Sequence, residues 1–134
     1  MFDEYAKKLK SIQANVPAVF KKVAKLGANH FRNEAVKRTD KERLVDTGNY
    51  RRNWQGEAIE PQEGLYGIAC MNNVEYASFL EEGHRLRNGK RWKGRFVGRM
   101  SLEETRYYCL VKLDEMFEKL YASYQRGFTK PDGE

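Results

Sequence analysis

The chain has 134 residues, 40% of them hydrophobic and 13% aromatic, and a formal charge of +6. This suits one globular domain with a modest core and excludes a disordered polyelectrolyte. No apolar run approaches the roughly 20 residues that span a bilayer, and the opening Met-Phe-Asp-Glu-Tyr-Ala-Lys-Lys lacks the apolar core of a signal peptide, so no membrane partner is expected. Cys70 and Cys109 fall in different expected elements and in no metal-ligand spacing, so they are expected to be buried, reduced thiols of a cytosolic protein. His30 and His84 are also far apart in sequence, and neither a metal nor a cofactor is expected.

Phe2, Tyr5, Ala6, Leu9 and Ile12 recur at helical spacing and predict a first helix over residues 2–14. Asn15 and Pro17 have the chemistry of a cap and a first-turn proline, so a second helix is expected from there to about Arg38. It would turn Val16, Val19, Phe20, Val23, Leu26 and Phe31 inward and leave Lys21, Lys22, Lys25, Arg32 and Lys37 elsewhere. Gly27 costs roughly 1 kcal/mol inside a helix and permits a bend. Lysine-rich amphipathic helices also lie on membranes, but a scaffold helix covering a sheet is the simpler expectation.

Asp46-Thr47-Gly48-Asn49 is turn chemistry, since Asp and Asn side chains bond nearby backbone and Gly allows positive φ. A strand is expected from Tyr50, with Tyr50, Arg52, Trp54 and Ala58 on one face and Arg51, Asn53, Gln55 and Glu57 on the other. Asp-Thr-Gly also occurs in aspartic proteases, but one copy without apolar flanks gives that idea little support. Pro61–Gly64 predicts a turn and Leu65–Met71 a well-buried return strand. Val74–Glu82 predicts a short helix with Tyr76, Phe79 and Leu80 inward.

Between Gly83 and Met100 stand Arg85, Arg87, Lys90, Arg91, Lys93, Arg95 and Arg99, with no acid among them. These seven cations exceed the net charge of the whole chain, so the remainder is slightly acidic and the basicity is one local feature. Asn88-Gly89 is a strong hairpin signal, which predicts a protruding two-stranded finger with Trp92 near its base. Ser101-Leu-Glu-Glu104 is a capping box. It should open a long last helix with Leu102, Leu110, Leu113, Phe117, Leu120 and Tyr124 inward, ending at Gly127 before a flexible tail from about residue 128. The expected class is α+β: a small antiparallel sheet packed against N-terminal helices and a long C-terminal helix, in a single domain with a basic hairpin projecting from it.

No nucleophile, base and orienting group come at a usable spacing. Glu81 and Glu82 adjoin the arginine loop and are expected to form solvated ion pairs with it. His84 has no evident carboxylate partner, and no phosphate loop, zinc pattern or nucleophile elbow occurs. A magnesium nuclease assembled from scattered acids is a construction almost any sequence permits, so a non-enzymatic role is expected. Arg85, Arg87, Lys90, Arg91, Trp92, Lys93, Arg95 and Arg99 are the candidate partner-binding residues. Like-charged and interleaved with Trp92 and Phe96, they suit nucleic acid, by phosphate tracking and base stacking. They equally suit an acidic protein surface, where arginines and aromatics are frequent anchors.

Three segments together resemble the small head–tail joining, or tail-completion, proteins of long-tailed phages. Val45-Asp-Thr-Gly-Asn-Tyr-Arg-Arg-Asn-Trp54 is similar to that family's V-D-T-G-x-L-R-x-S. Asn73-Val-Glu-Tyr-Ala-Ser-Phe-Leu-Glu-Glu-Gly83 is similar to V-x-Y-A-x-Y-x-E-x-G. Gly94-Arg-Phe-Val-Gly-Arg-Met100 stands where the family has a basic, aromatic lead into its last helix. The likeness runs over roughly residues 5–126, with departures at Leu44, Tyr50, Asn53, Glu82 and His84. It implies a non-catalytic virion protein of the neck, made in the host cytoplasm. Its implied partners are head-connector and tail proteins. It would be monomeric until it assembles as a ring, with a hexamer favoured, close to the passage of DNA.

Overall fold

The computed structural model describes residues 2–44 and 48–125. Its elements in chain order are α1 (Phe2–Lys41), α2 (Asn49–Arg52), β1 (Trp54–Gln62), β2 (Leu65–Asn72), α3 (Ala77–Glu82), β3 (Gly83–Arg85), β4 (Arg91–Lys93) and α4 (Val97–Gln125). The class is α+β, as expected, with two long helices packed on each other and on a small antiparallel ribbon. The second ribbon, β3–β4, is a separate two-stranded sheet.

The ribbon β1–β2 pairs Trp54 with Asn72 and keeps register to Ile59 opposite Gly67, then shifts before Gln62 meets Leu65. The turn is made by Glu63 and Gly64, both at positive φ. Gly56 sets how closely the ribbon approaches α1, because a Cβ there would collide with the Ala28 carbonyl. Gly27 has the same role toward α4: a Cβ would lie 2.5 Å from Cys109 Sγ. Its helix-propensity cost accompanies a close helix crossing, and α1 runs through it without interruption.

The core gathers Phe31, Ala35, Tyr50, Trp54 and Val97, with Val36, Leu44, Cys70, Ala77 and Leu80 packed around them. Trp54 is 5% exposed. Its ring meets Phe31 edge-on at 5.8 Å and Tyr50 at 5.2 Å. Its Nε1–H donates to Thr39 Oγ1 at 2.9 Å, and that hydroxyl donates to the Ala35 carbonyl, so the buried indole is satisfied. Farther along, Phe20 stacks on Tyr66 and meets Phe117 edge-on, joining α1, β2 and α4.

Several expectations are corrected. The two N-terminal helices are one: α1 continues through Pro17, and Asn15 is no cap, its amide donating to Ser11 O and Tyr124 Oη. The apolar spacing holds phase across Pro17, and packing of Val19, Phe20 and Val23 outweighs the single backbone bond the proline removes. Phe2, Tyr5 and Leu9 are exposed, and the described part of antiparallel α4 meets α1 at Asn15 through Tyr124.

Tyr50 and Arg52 lie in α2 and not in a strand, so Tyr50 and Trp54 share the core through a helical turn while Arg52 points to solvent. Strand β2 is partly buried, since the ribbon has one covered face, and Leu65 is exposed. Leu80 packs on the core, but Tyr76 and Phe79 are exposed. Helix α4 begins at Val97, one turn earlier than the capping box places it, and Ser101 is fully buried inside it. Within α4, Leu102 and Leu110 face outward and Ser101 and Thr105 inward. Cys70 and Cys109 are half-buried free thiols, and the fold brings them near each other beneath α1. The expected turn at Asp46-Thr47, the helix end at Gly127 and the flexible tail lie outside the described residues. Gly48 does adopt positive φ.

Candidate partner-binding hairpin

The finger is built as its sequence predicts. Gly83 faces Lys93, His84 faces Trp92 and Arg85 faces Arg91. Beyond Arg85 the chain turns with Leu86 N–H donating to Lys90 O at 2.7 Å and Gly89 N–H to Leu86 O at 3.0 Å. Asn88 Oδ1 accepts the Lys90 N–H, and Gly89 takes the left-handed conformation that Asn-Gly turns require.

Side chains alternate across a ribbon, so the finger has two unlike faces. His84 and Trp92 stand on one, their rings 5.6 Å apart, with Phe79 5.3 Å from His84 and the Arg95 guanidinium 5.3 Å from the Trp92 ring. This is a run of mutually tilted rings ended by a cation. Arg85, Arg91 and Lys93 stand on the other face, and Arg87 and Lys90 ride the turn. Arg99 belongs to the first turn of α4, with its guanidinium 5.9 Å from Phe96. Phe96 sits at the root at positive φ and is not part of the ribbon.

Among the described residues no carboxylate forms an ion pair with any of the seven cations; the ion pairs present involve His30, Lys37, Arg38, Arg51 and Lys112. Arg85 directly opposite Arg91 is a like-charge pair, which weakens a ribbon of only three residue pairs. The expected ion pairing by Glu81 and Glu82 is corrected here. Glu81 instead accepts the backbone N–H of Gly98 at 2.8 Å and of Arg99 at 2.7 Å, placing a carboxylate on the N-terminus of α4. Glu82 contributes its carbonyl, which accepts from Arg91 at 3.4 Å.

The root is fastened on both sides. Arg95 N–H donates to Leu80 O and Phe96 N–H to Glu81 O. Gly83 and Gly94 pass so closely that a Cβ on either would collide with backbone of the other segment. The charged finger is therefore held on a rigid mount between α3 and α4. Sequence reasoning missed Glu81 as the fastener, and no local signal marks it, because the N–H groups it accepts lie 17 and 18 positions further along the chain.

Burial raises the Cys70 thiol to about 11, helped by Cys109, and raises Cys109 as well. Tyr50 is raised by burial first and by Glu81 and Tyr76 second, and its hydroxyl is buried without a hydrogen-bond partner. Beside the mount, a groove of about 460 Å³ is lined mainly by Phe31, Trp54, Met71, Ala77, Glu81 and Leu102. No cluster of potential metal ligands occurs among the described residues, and no helix there is long and apolar enough to cross a membrane.

Residues 3–83 match the HK97-gp10-like family, described as "Bacteriophage HK97-gp10, putative tail-component". The chain belongs to that family of phage tail components, which implies a place in the virion and contacts with other tail or head proteins. The match takes in α1 to α3 with both motif segments around Gly48 and Tyr76, and it ends at Gly83, where the finger begins. No curated protein and no solved structure matches the chain significantly.

Proposed function

We propose that this tail component is a non-catalytic joint between the phage head and tail, working in a homo-oligomeric ring, a hexamer by preference, at the virion neck. It is made in the host cytoplasm and stays monomeric until it docks on the growing particle. The observation that carries the proposal is the finger: like-charged groups without carboxylate partners among the described residues, on a rigid mount and a scaffold otherwise slightly acidic. Such a device stores no catalytic arrangement but offers arginine forks and an aromatic anchor to an acidic partner surface. Arg85, Arg87, Lys90, Arg91, Trp92, Lys93, Arg95 and Arg99 are the contact residues. Reversing Arg87 and Arg91 together to Glu is expected to leave folding intact and block attachment of tails to heads. Normal infectious particles from that variant would remove the finger from the joint.

The aromatic face of Trp92 and His84 beside Arg95 favours a second reading, a nucleic-acid module that tracks phosphates and stacks bases. It requires duplex or single-strand affinity whose logarithm falls with log salt at about −0.9 or −0.7 per phosphate contacted. A flat salt response rejects it. In a ring the same finger would bring its charge near the passing DNA.

A further inference from the structure

Helix α4 carries a second surface of the opposite sign. Its inner side is Ser101, Thr105, Cys109, Met116 and Leu120, buried or half-buried against the rest of the molecule. The 3.6-residue period puts Tyr107, Leu110, Val111 and Tyr121 on the outer side, and all four are exposed, Leu110 by 60%. That side also holds Glu103, Glu104, Asp114, Glu115 and Glu118, every one exposed, and no Lys or Arg; Arg106, Lys112 and Lys119 fall elsewhere around the helix. Glu104 is paired with Arg38 and Glu115 with Lys112, while Glu103, Asp114 and Glu118 form no ion pair among the described residues. A depression of about 480 Å³ lies along the stripe between Leu110 and Phe117. Exposed apolar side chains bordered by unpaired carboxylates are the counterpart of a finger bearing arginines and Trp92.

The finger cannot be neutralised by its own α4, since its mount holds it at Gly94–Val97, beside the N-terminus of that helix, and none of its cations reaches an acid there. We propose that the outer stripe of α4 is the docking surface for the basic finger of a second copy of this chain. Donor and acceptor surfaces are then different parts of one molecule, so the contact is heterologous. Repeated from copy to copy, it closes a ring or extends a filament. The inference names the partner of the finger and in that respect rests on the proposed joint.

The test is sedimentation velocity of the full chain over a wide concentration range at low and high salt. The wild-type chain is expected to be monomeric when dilute, as the free chain is before it docks, and to associate toward the top of that range, less so at high salt. Asp114→Lys with Glu118→Lys, and separately Arg87→Glu with Arg91→Glu, should each weaken association by roughly a hundredfold through like-charge contact. The four substitutions in one chain should restore it, because every interface then pairs opposite signs again. All four positions are exposed, and circular dichroism melts confirm that the folds match. A wild-type chain that stays monomeric throughout, or a four-substitution variant no better than either pair, overturns the proposal. Carrying the same variants into particle assembly separates the two ideas. Tails lost with the finger pair but not with the α4 pair leave the joint standing and reject self-docking. Joined particles from both pairs, with the charge swap restoring self-association, leave self-docking standing and remove the finger from the joint.

Discussion

Trp54 is where the fold is most exposed to a single change. It joins Phe31, Tyr50 and Thr39 in one buried cluster, so Trp54→Ala should cost about 3–5 kcal/mol by removing packing and leaving a cavity. Phe117, half-buried against Phe20, should cost less, and denaturant titration of the two variants ranks them. Glu81→Ala should cost about 1–2 kcal/mol, because the Gly98 and Arg99 N–H groups lose a charged acceptor at a helix start. Glu81→Gln, which keeps one acceptor oxygen, should cost less. The thiols give a pH dependence with a definite sign. Both are raised in the folded state, so the unfolded chain ionises first and stability falls as pH climbs through the window from about 9 to about 11. Tyr50, also raised, adds to the loss from pH 10 upward. Alkylation of Cys70 and Cys109 at pH 8 should be much slower in the native chain than in denaturant, and equal rates would contradict their burial.

At the scale of elements, the local signals that survived were those tied to backbone chemistry. Asn88-Gly89 marked the hairpin because its turn needs positive φ, and Gly48 marked the bend before Tyr50 for the same reason. The signals that misled were those that tertiary packing can override. Pro17 resembles a helix start, yet α1 passes through it, so Pro17→Ala should raise stability, by at most about 3 kcal/mol. A fall instead would restore the two-helix reading. Ser101 satisfied a capping box, yet Val97 opens α4 and Glu81 caps it from another element, a contact that lies 17 and 18 positions away in sequence and leaves no local pattern. Ser101 Oγ is buried without a hydrogen-bond partner. Ser101→Ala should therefore be neutral or slightly stabilising, where loss of a true cap would cost about 1 kcal/mol. Leu110 was expected inside and stands outside because α4 packs through Ser101, Thr105 and Cys109, a side of the helix that its leucine spacing does not mark.

The whole molecule separates into a scaffold and a charged projection. Residues 3–83, which carry the family match, build α1 and the first ribbon, and they end at the mount. The seven cations that dominate the electrostatics follow, legible in sequence as a run without acids. Their lack of carboxylate partners among the described residues became apparent only in three dimensions, where Glu81, at the root of the finger, is committed to α4. A scaffold of one family bearing an unneutralised finger is the physical basis for assigning contacts to the finger and rigidity to the rest.

Electron microscopy of lysates from a phage or lysogen lacking this gene tests that assignment most directly. Filled heads beside separate, finished tails are the predicted result, and complementation with the Arg87→Glu, Arg91→Glu chain should leave them separate. Intact joined particles in the absence of the gene would contradict the role as a joint.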